Sequence, residues 1–136
     1  MKVAGIHHIA IAVKDLEKAL AFFRDLLGAK VIREDVSEAE KRKAVFLSLG
    51  PVCLEIMQPL SSEGELASFI EKRGEGIHSL GLKVESFEGA VRELERAGAR
   101  VVGQQITPFP YAFTHPKDSF GVMLEISEYR GEKEEN

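Results

Sequence analysis

Gly5-Ile6-His7-His8-Ile9-Ala10-Ile11-Ala12-Val13 reads against Gly76-Ile77-His78-Ser79-Leu80-Gly81-Leu82-Lys83-Val84 at an offset of 71, and this pairing decides the fold. Six of the sixteen pairs from position 5 to position 20 are identical, so the likeness runs past the strand into the next stretch of chain. After Asp15, a residue suited to an N-cap, Leu16, Ala19, Leu20, Phe23 and Leu27 recur at three-and-four spacing; after Ser86, Phe87, Ala90, Val91 and Leu94 do the same. Both helical patterns stop at a glycine followed by a similar strand, Gly28-Ala29-Lys30-Val31 and Gly98-Ala99-Arg100-Val101, now at an offset of 70. Val52-Cys53-Leu54-Glu55-Ile56 matches Val122-Met123-Leu124-Glu125-Ile126 at 70 as well, so the one-residue slip falls inside the helix or at its end.

Each half has room for two more strands. In the first, Ala44 to Leu49 and Cys53 to Met57 flank the turn pair Gly50-Pro51; in the second, Tyr111 to Thr114 and Val122 to Ile126 flank His115-Pro116-Lys117-Asp118-Ser119-Phe120-Gly121. The pattern predicts an α+β fold of two tandem βαβββ modules, forming a concave, barrel-like mixed sheet with its helices outside. It predicts one domain: module one over about 5–60, a linker helix within about 61–75 (Gly64 to Arg73), module two over about 76–128, and a charged tail over 129–136.

Composition bounds the rest. The chain has 136 residues, 18 basic and 22 acidic side chains and a net charge of −4, with no basic cluster of the kind that neutralises nucleic-acid phosphates. One cysteine, Cys53, excludes an internal disulfide and a multi-thiolate zinc site and favours a reducing compartment. No apolar run has the length of a membrane span, and the start MKVAGIHHIAIAV lacks the pattern of a signal peptide; the expected place is the cytoplasm.

Period-two alternation assigns faces. Ile9, Ile11 and Val13 face the helix of their module, which leaves His8, Ala10 and Ala12 on the other side. In module two Leu80, Leu82 and Val84 face the helix, Ser79 falls on the face corresponding to His8, and His78 shares parity with His7 instead. Glu55 and Glu125 sit between apolar neighbours at equivalent places. A buried carboxylate is costly unless paired or metal-bound, and one imidazole with two carboxylates is an ordinary donor set for a divalent ion. The alternative is that His8 is a core histidine and both glutamates face solvent. His115 before Pro116 is read as ordering a turn, and Phe109, Tyr111 and Phe113 as core or pocket wall.

Taken together, His8-Ile9-Ala10-Ile11-Ala12-Val13 with Asp15-Leu16-Glu17-Lys18-Ala19, Leu54-Glu55-Ile56-Met57 with Pro59-Leu60, and His115-Pro116-Lys117-Asp118 with Gly121-Val122-Met123-Leu124-Glu125 resemble the vicinal oxygen chelate superfamily. The superfamily takes in glyoxalases, bleomycin resistance proteins and dioxygenases, and the likeness is greatest to its methylmalonyl-CoA epimerase branch. The resemblance implies a divalent metal ion (Co, Mn, Ni, Mg or Zn) held by His8, Glu55 and Glu125. Ser79 stands where the branch has a ligand histidine, and His78 is a substitute only if a bulge turns it round. It further implies Glu125 and Glu55 as catalytic acid-base groups, an acyl-CoA substrate, proton abstraction alpha to a thioester carbonyl, and a homodimer. Lys117 and Arg42 are candidates for the CoA phosphates. A lactoylglutathione-lyase type of reaction and a metal-free small-molecule-binding or resistance protein are the alternatives on the same scaffold.

Overall fold

The Asp15 side chain accepts from the Lys18 N–H and the Ser86 side chain from the Gly89 N–H, so both module helices start at the caps their sequences predict. In the computed structural model of the chain, residues 1–106 and 109–129 are described. The tail expected over 129–136 lies, from Arg130 on, outside the described residues. Module one runs β1 (Val3–Ala12), α1 (Leu16–Leu20, continued by a π-helical segment, Ala21–Leu26), β2 (Lys30–Ser37), β3 (Arg42–Leu49) and β4 (Val52–Pro59). The linker helix α2 (Glu65–Arg73) lies between Gly64 and Gly74. Module two runs β5 (Gly76–Val84), α3 (Phe87–Arg96), β6 (Val101–Gln105), β7 (Tyr111–Thr114), a 3-10 turn (Pro116–Asp118) and β8 (Leu124–Glu128). The βαβββ order holds in both halves, and no helix among the described residues is long and apolar enough to cross a membrane.

The slip in the repeat has a structural cause. Leu27 N–H donates to Phe22 C=O at 3.0 Å, an i to i−5 bond, and α3 has no such segment. One residue added to a helix without shifting its ends is absorbed as a π turn. That residue accounts for the offset changing from 71 before the helix to 70 after it.

Two compact units are present: His8–His78, and Met1–His7 together with the chain from Ser79 on. In the first, the strand order is β2-β3-β4-β1, with β1 parallel to β4 and the other neighbours antiparallel. One face of this sheet packs on α1: Val13, Leu16, Leu20, Val45, Leu47, Leu54 and Ile56 are all buried, with Ile9 and Ile11 against them. The opposite face is not open. Ala10, Ala12, Ala44, Phe46 and Met57 form a second core with Leu66 and Ile70 of α2. The small residues of β1 are small because a helix lies over them.

In the second unit the order is β5-β8-β7-β6, with β5 and β8 parallel and the rest antiparallel. Val84, Phe87, Ala90, Ala112 and Ile126 form its core under α3. The chain's first residues belong here: Glu85 N–H donates to Lys2 C=O at 3.0 Å, and the N-terminal ammonium meets Glu93 at 2.7 Å. The connection from β7 to β8 is pinned by Asp118, which accepts from the Arg100 guanidinium and the Arg100 N–H; these hydrogen bonds draw its carboxyl down to about 2. His115 Nδ1 accepts from the Lys117 N–H, the turn-ordering part that its sequence position suggests.

Leu47 has no exposed surface and touches both strands and helix in the first core. Leu47→Ala is expected to lower stability in urea unfolding by about 2–5 kcal/mol. A change below about 0.5 kcal/mol would mean that this core is not packed as described.

A buried histidine-glutamate pair in the first module

Alternation in β4 sends Leu54 and Ile56 into the α1 core and Glu55, between them, to the α2-covered face with Cys53 and Met57. Glu55 is 5% exposed, so its charge needs compensation inside the protein. Two side chains supply it. His8 Nε2 lies 3.3 Å from Glu55 Oε1, and Arg42 donates from Nη1 to Oε2 at 2.9 Å. His8 is as buried as Glu55, whereas Arg42 keeps an edge in solvent and there meets Glu40 at 2.7 Å. Arg42 is aimed by its place at the start of β3, on the same face as Ala44 and Phe46, directly after the hairpin turn that ends at Lys41.

Burial pushes the Glu55 carboxyl up, but the His8 hydrogen bond and the Arg42 charge together outweigh it and hold the group below the usual carboxylate range. The sign for stability is set by this: a depressed carboxyl contributes above its unfolded pKa, and that contribution is lost as pH falls through the folded one. The dyad is therefore an ionised carboxylate against an imidazole, with a guanidinium balancing the charge. Glu55 thereby stands beside the imidazole as a fixed negative charge.

Phe46 pairs with Glu55 across β3 and β4, and its ring makes a T-shaped contact with His8, with centroids 6.1 Å apart. Sequence alternation alone did not single it out. Module two repeats the arrangement, since Phe113 pairs with Glu125 across β7 and β8. The two phenylalanines are 67 residues apart, off the 70 of the glutamates, which hid the correspondence. Glu125 is half-buried and stands beside Gly81 of β5, and Ser79 is buried on the same strand.

His78 has a separate place. Its Nε2 lies 2.8 Å from Glu65 Oε1 and its ring packs on Phe69 at 4.7 Å, so it is held against α2 within the first unit. Arg42, a candidate for the CoA phosphates, is instead spent on Glu55 and Glu40. A cleft of about 530 Å³ lined by Ile11, Val13, Lys14, Lys18, Phe23 and Glu75 lies at the start of α1 and contains neither His8 nor Glu55.

The donor set can be tested against the divalent ion that the resemblance implies. Among the described residues there is no group of three or more His, Cys, Asp and Glu side chains able to hold a metal. One oxygen of Glu55 already carries a guanidinium, and a serine stands where a second imidazole is expected. As arranged, these residues do not fit a resident divalent ion.

Removing Arg42 leaves Glu55 buried with His8 alone. Arg42→Met is expected to lower stability by about 3–5 kcal/mol in urea unfolding, and adding Glu55→Gln to return most of it. A double variant no more stable than Arg42→Met would show that Arg42 acts only through the packing of its stem.

This arrangement sits in a chain with well-defined relatives. Residues 7–113 match the family model described as glyoxalase/bleomycin resistance protein/dioxygenase superfamily. The mitochondrial methylmalonyl-CoA epimerase of Homo sapiens is 33% identical over 128 residues, covering 90% of this chain and 73% of that protein. An ethylmalonyl-CoA/methylmalonyl-CoA epimerase of Cereibacter sphaeroides is 34% identical over 132 residues, covering 93% and 98%. The crystal structure of methylmalonyl-CoA epimerase from Mycobacterium tuberculosis superposes with a TM-score of 0.82 at 30% identity, covering 94% of this chain and 89% of that one. The match across most of both chains, in sequence and in fold, settles the family: this protein belongs to the glyoxalase/bleomycin resistance protein/dioxygenase superfamily.

Proposed function

We propose that the protein is an epimerase acting on methylmalonyl-CoA or a close acyl-CoA, by moving the proton alpha to the thioester carbonyl. The likeness to the human and Cereibacter sphaeroides epimerases over at least 90% of this chain carries the proposal. The buried His8–Glu55 dyad supplies the chemistry. Inverting a carbon centre needs a proton acceptor on one side and a donor on the other. His8, steadied by Glu55, is assigned one of these parts, so that Glu55 acts through the imidazole. A carboxyl held below its usual range is a weak base on its own account, which favours this division of labour. Glu125, the matched carboxylate of module two, is retained as a second candidate acid-base group. Each positioned transfer contributes about 10²- to 10⁴-fold. No step is routed through a metal ion, because the donor set does not provide for one. The reading extends to a cytoplasmic enzyme that works as a homodimer, supported by the resemblance and, for the compartment, by a content of one cysteine.

The experiment is deuterium exchange from solvent into methylmalonyl-CoA, followed by mass spectrometry, with protein stripped by chelator. Exchange well above the protein-free rate is expected, with a loss of about 10²-fold or more in Glu125→Gln and in His8→Phe. A strict requirement for added Co²⁺ or Mn²⁺ would instead restore the ion implied by the resemblance. Binding of the acyl-CoA with no exchange under either condition would favour the metal-free binding protein, the second reading, to which the balanced Glu55 also lends support. Light scattering checks the assembly: a mass twice that of the chain is expected, and a monomer would remove the homodimer.

A further inference from the structure

The register of the first hairpin slips by one residue between Val31, which faces Leu47, and Arg33, which faces Phe46. Without that slip Ile32 would face Phe46, and Arg33 would face Val45 in the α1 core. A bulge turns two successive side chains to one face, and here it brings both Ile32 and Arg33 to the face shared by Phe46, Glu55 and His8. Ile32 fills the core there. The Arg33 guanidinium lies over the Phe46 ring, 4.0 Å from its centroid, and that ring makes a T-shaped contact with His8 at 6.1 Å between centroids.

Arg33 is exposed and makes no ion pair among the described residues, although Arg24, Arg42 and Arg100 each do. Stacking by one face fixes the plane of a guanidinium and leaves its N–H edge free, the disposition that receives a carboxylate through two parallel hydrogen bonds. Glu55 does not compete for it, being balanced by Arg42 and His8. Module two supplies the contrast. Its outer hairpin strand also slips, but beyond the residue that pairs with Phe113, between Val102 and Gln105; Gly103 lies in that slip at φ +62, and a Cβ on it would lie 3.3 Å from the Phe113 ring. Each copy has a slip near its phenylalanine, and only the first places a cation over the ring.

We propose that Arg33, held on Phe46, is the anion subsite of the His8 face and takes the carboxylate of the substrate's acyl group. This rests on the acyl-CoA reading above. An acyl-CoA offers two kinds of anion, the acyl carboxylate and the phosphates of CoA. The carboxylate is bonded to the carbon whose proton moves, so it belongs on the side of the proton-transfer group, and Arg33 stacks on the ring that contacts His8. The phosphates lie a pantetheine arm away.

The test is calorimetric titration of wild type, Arg33→Met and Arg33→Lys with methylmalonyl-CoA and with propionyl-CoA, which keeps every phosphate and lacks the carboxylate. Methionine retains contact with Phe46 at an exposed position, and a melting curve matching wild type checks the fold. Arg33→Met is expected to weaken methylmalonyl-CoA binding by about 10- to 100-fold and to leave propionyl-CoA unchanged. Arg33→Lys, a point charge without the fork, is expected to recover part of the loss, and it keeps the charge should the methionine variant fail to fold. An equal loss for both ligands would assign Arg33 to the phosphates and overturn the subsite, as would no loss for either. Wild type that binds neither acyl-CoA would bring down the functional reading, and the subsite with it.

Discussion

A carboxylate in the middle of an apolar strand, 5% exposed, constrains everything around it. Glu55 cannot be left unpaired at that depth without a cost of several kcal/mol, so the chain must bring a cation or a proton donor to each oxygen. It brings His8 from the parallel neighbour β1 and Arg42 from the antiparallel neighbour β3. The two partners differ in what they fix. Arg42 is permanently charged and settles the ionisation of Glu55, while His8 stands against the other carboxylate oxygen. The helix α2 completes the environment, since Leu66 and Ile70 exclude water from the same face and strengthen the electrostatic pairing beneath them.

The two modules share a backbone plan and differ where chemistry is placed. Both have the same strand order from the first strand to the outer hairpin strand, a register slip in that outer strand, and a phenylalanine opposite a glutamate. Against this background the departures stand out: a π turn in one helix only, His8 against Ser79, Arg33 against Gly103. Each changes a side chain or a local turn and leaves the sheet intact. A doubled fold is tolerant of this, because the core positions that hold each sheet to its helix lie on the opposite face from the positions that vary.

Much of this was legible in the residues. Periodicity and the 71- and 70-residue offsets marked both modules, both N-caps and the linker helix, and parity correctly set Glu55 apart from Leu54 and Ile56. The pairing of Phe113 with Glu125 was not legible, since the second hairpin breaks the offset. Nor was the aim of Arg33, because a bulge inverts the parity from which a face is read and leaves no mark in composition. Parity set the face of His8, Ala10 and Ala12 apart from the α1 core, but that α2 covers part of it was not legible, because its docking depends on contacts remote in sequence.

By itself, then, the sequence determined the doubled βαβββ plan, the family, and the identity of one imidazole and two carboxylates as the groups worth pursuing, because these depend on local period and on residue chemistry. Only the tertiary structure decided how Glu55 is compensated. His8, Arg42 and Glu55 are separated by 34 and 13 positions along the chain and become neighbours only through strand pairing. No local rule states that a guanidinium at the start of one strand will reach a carboxylate on the next, and that contact sets the charge of the site.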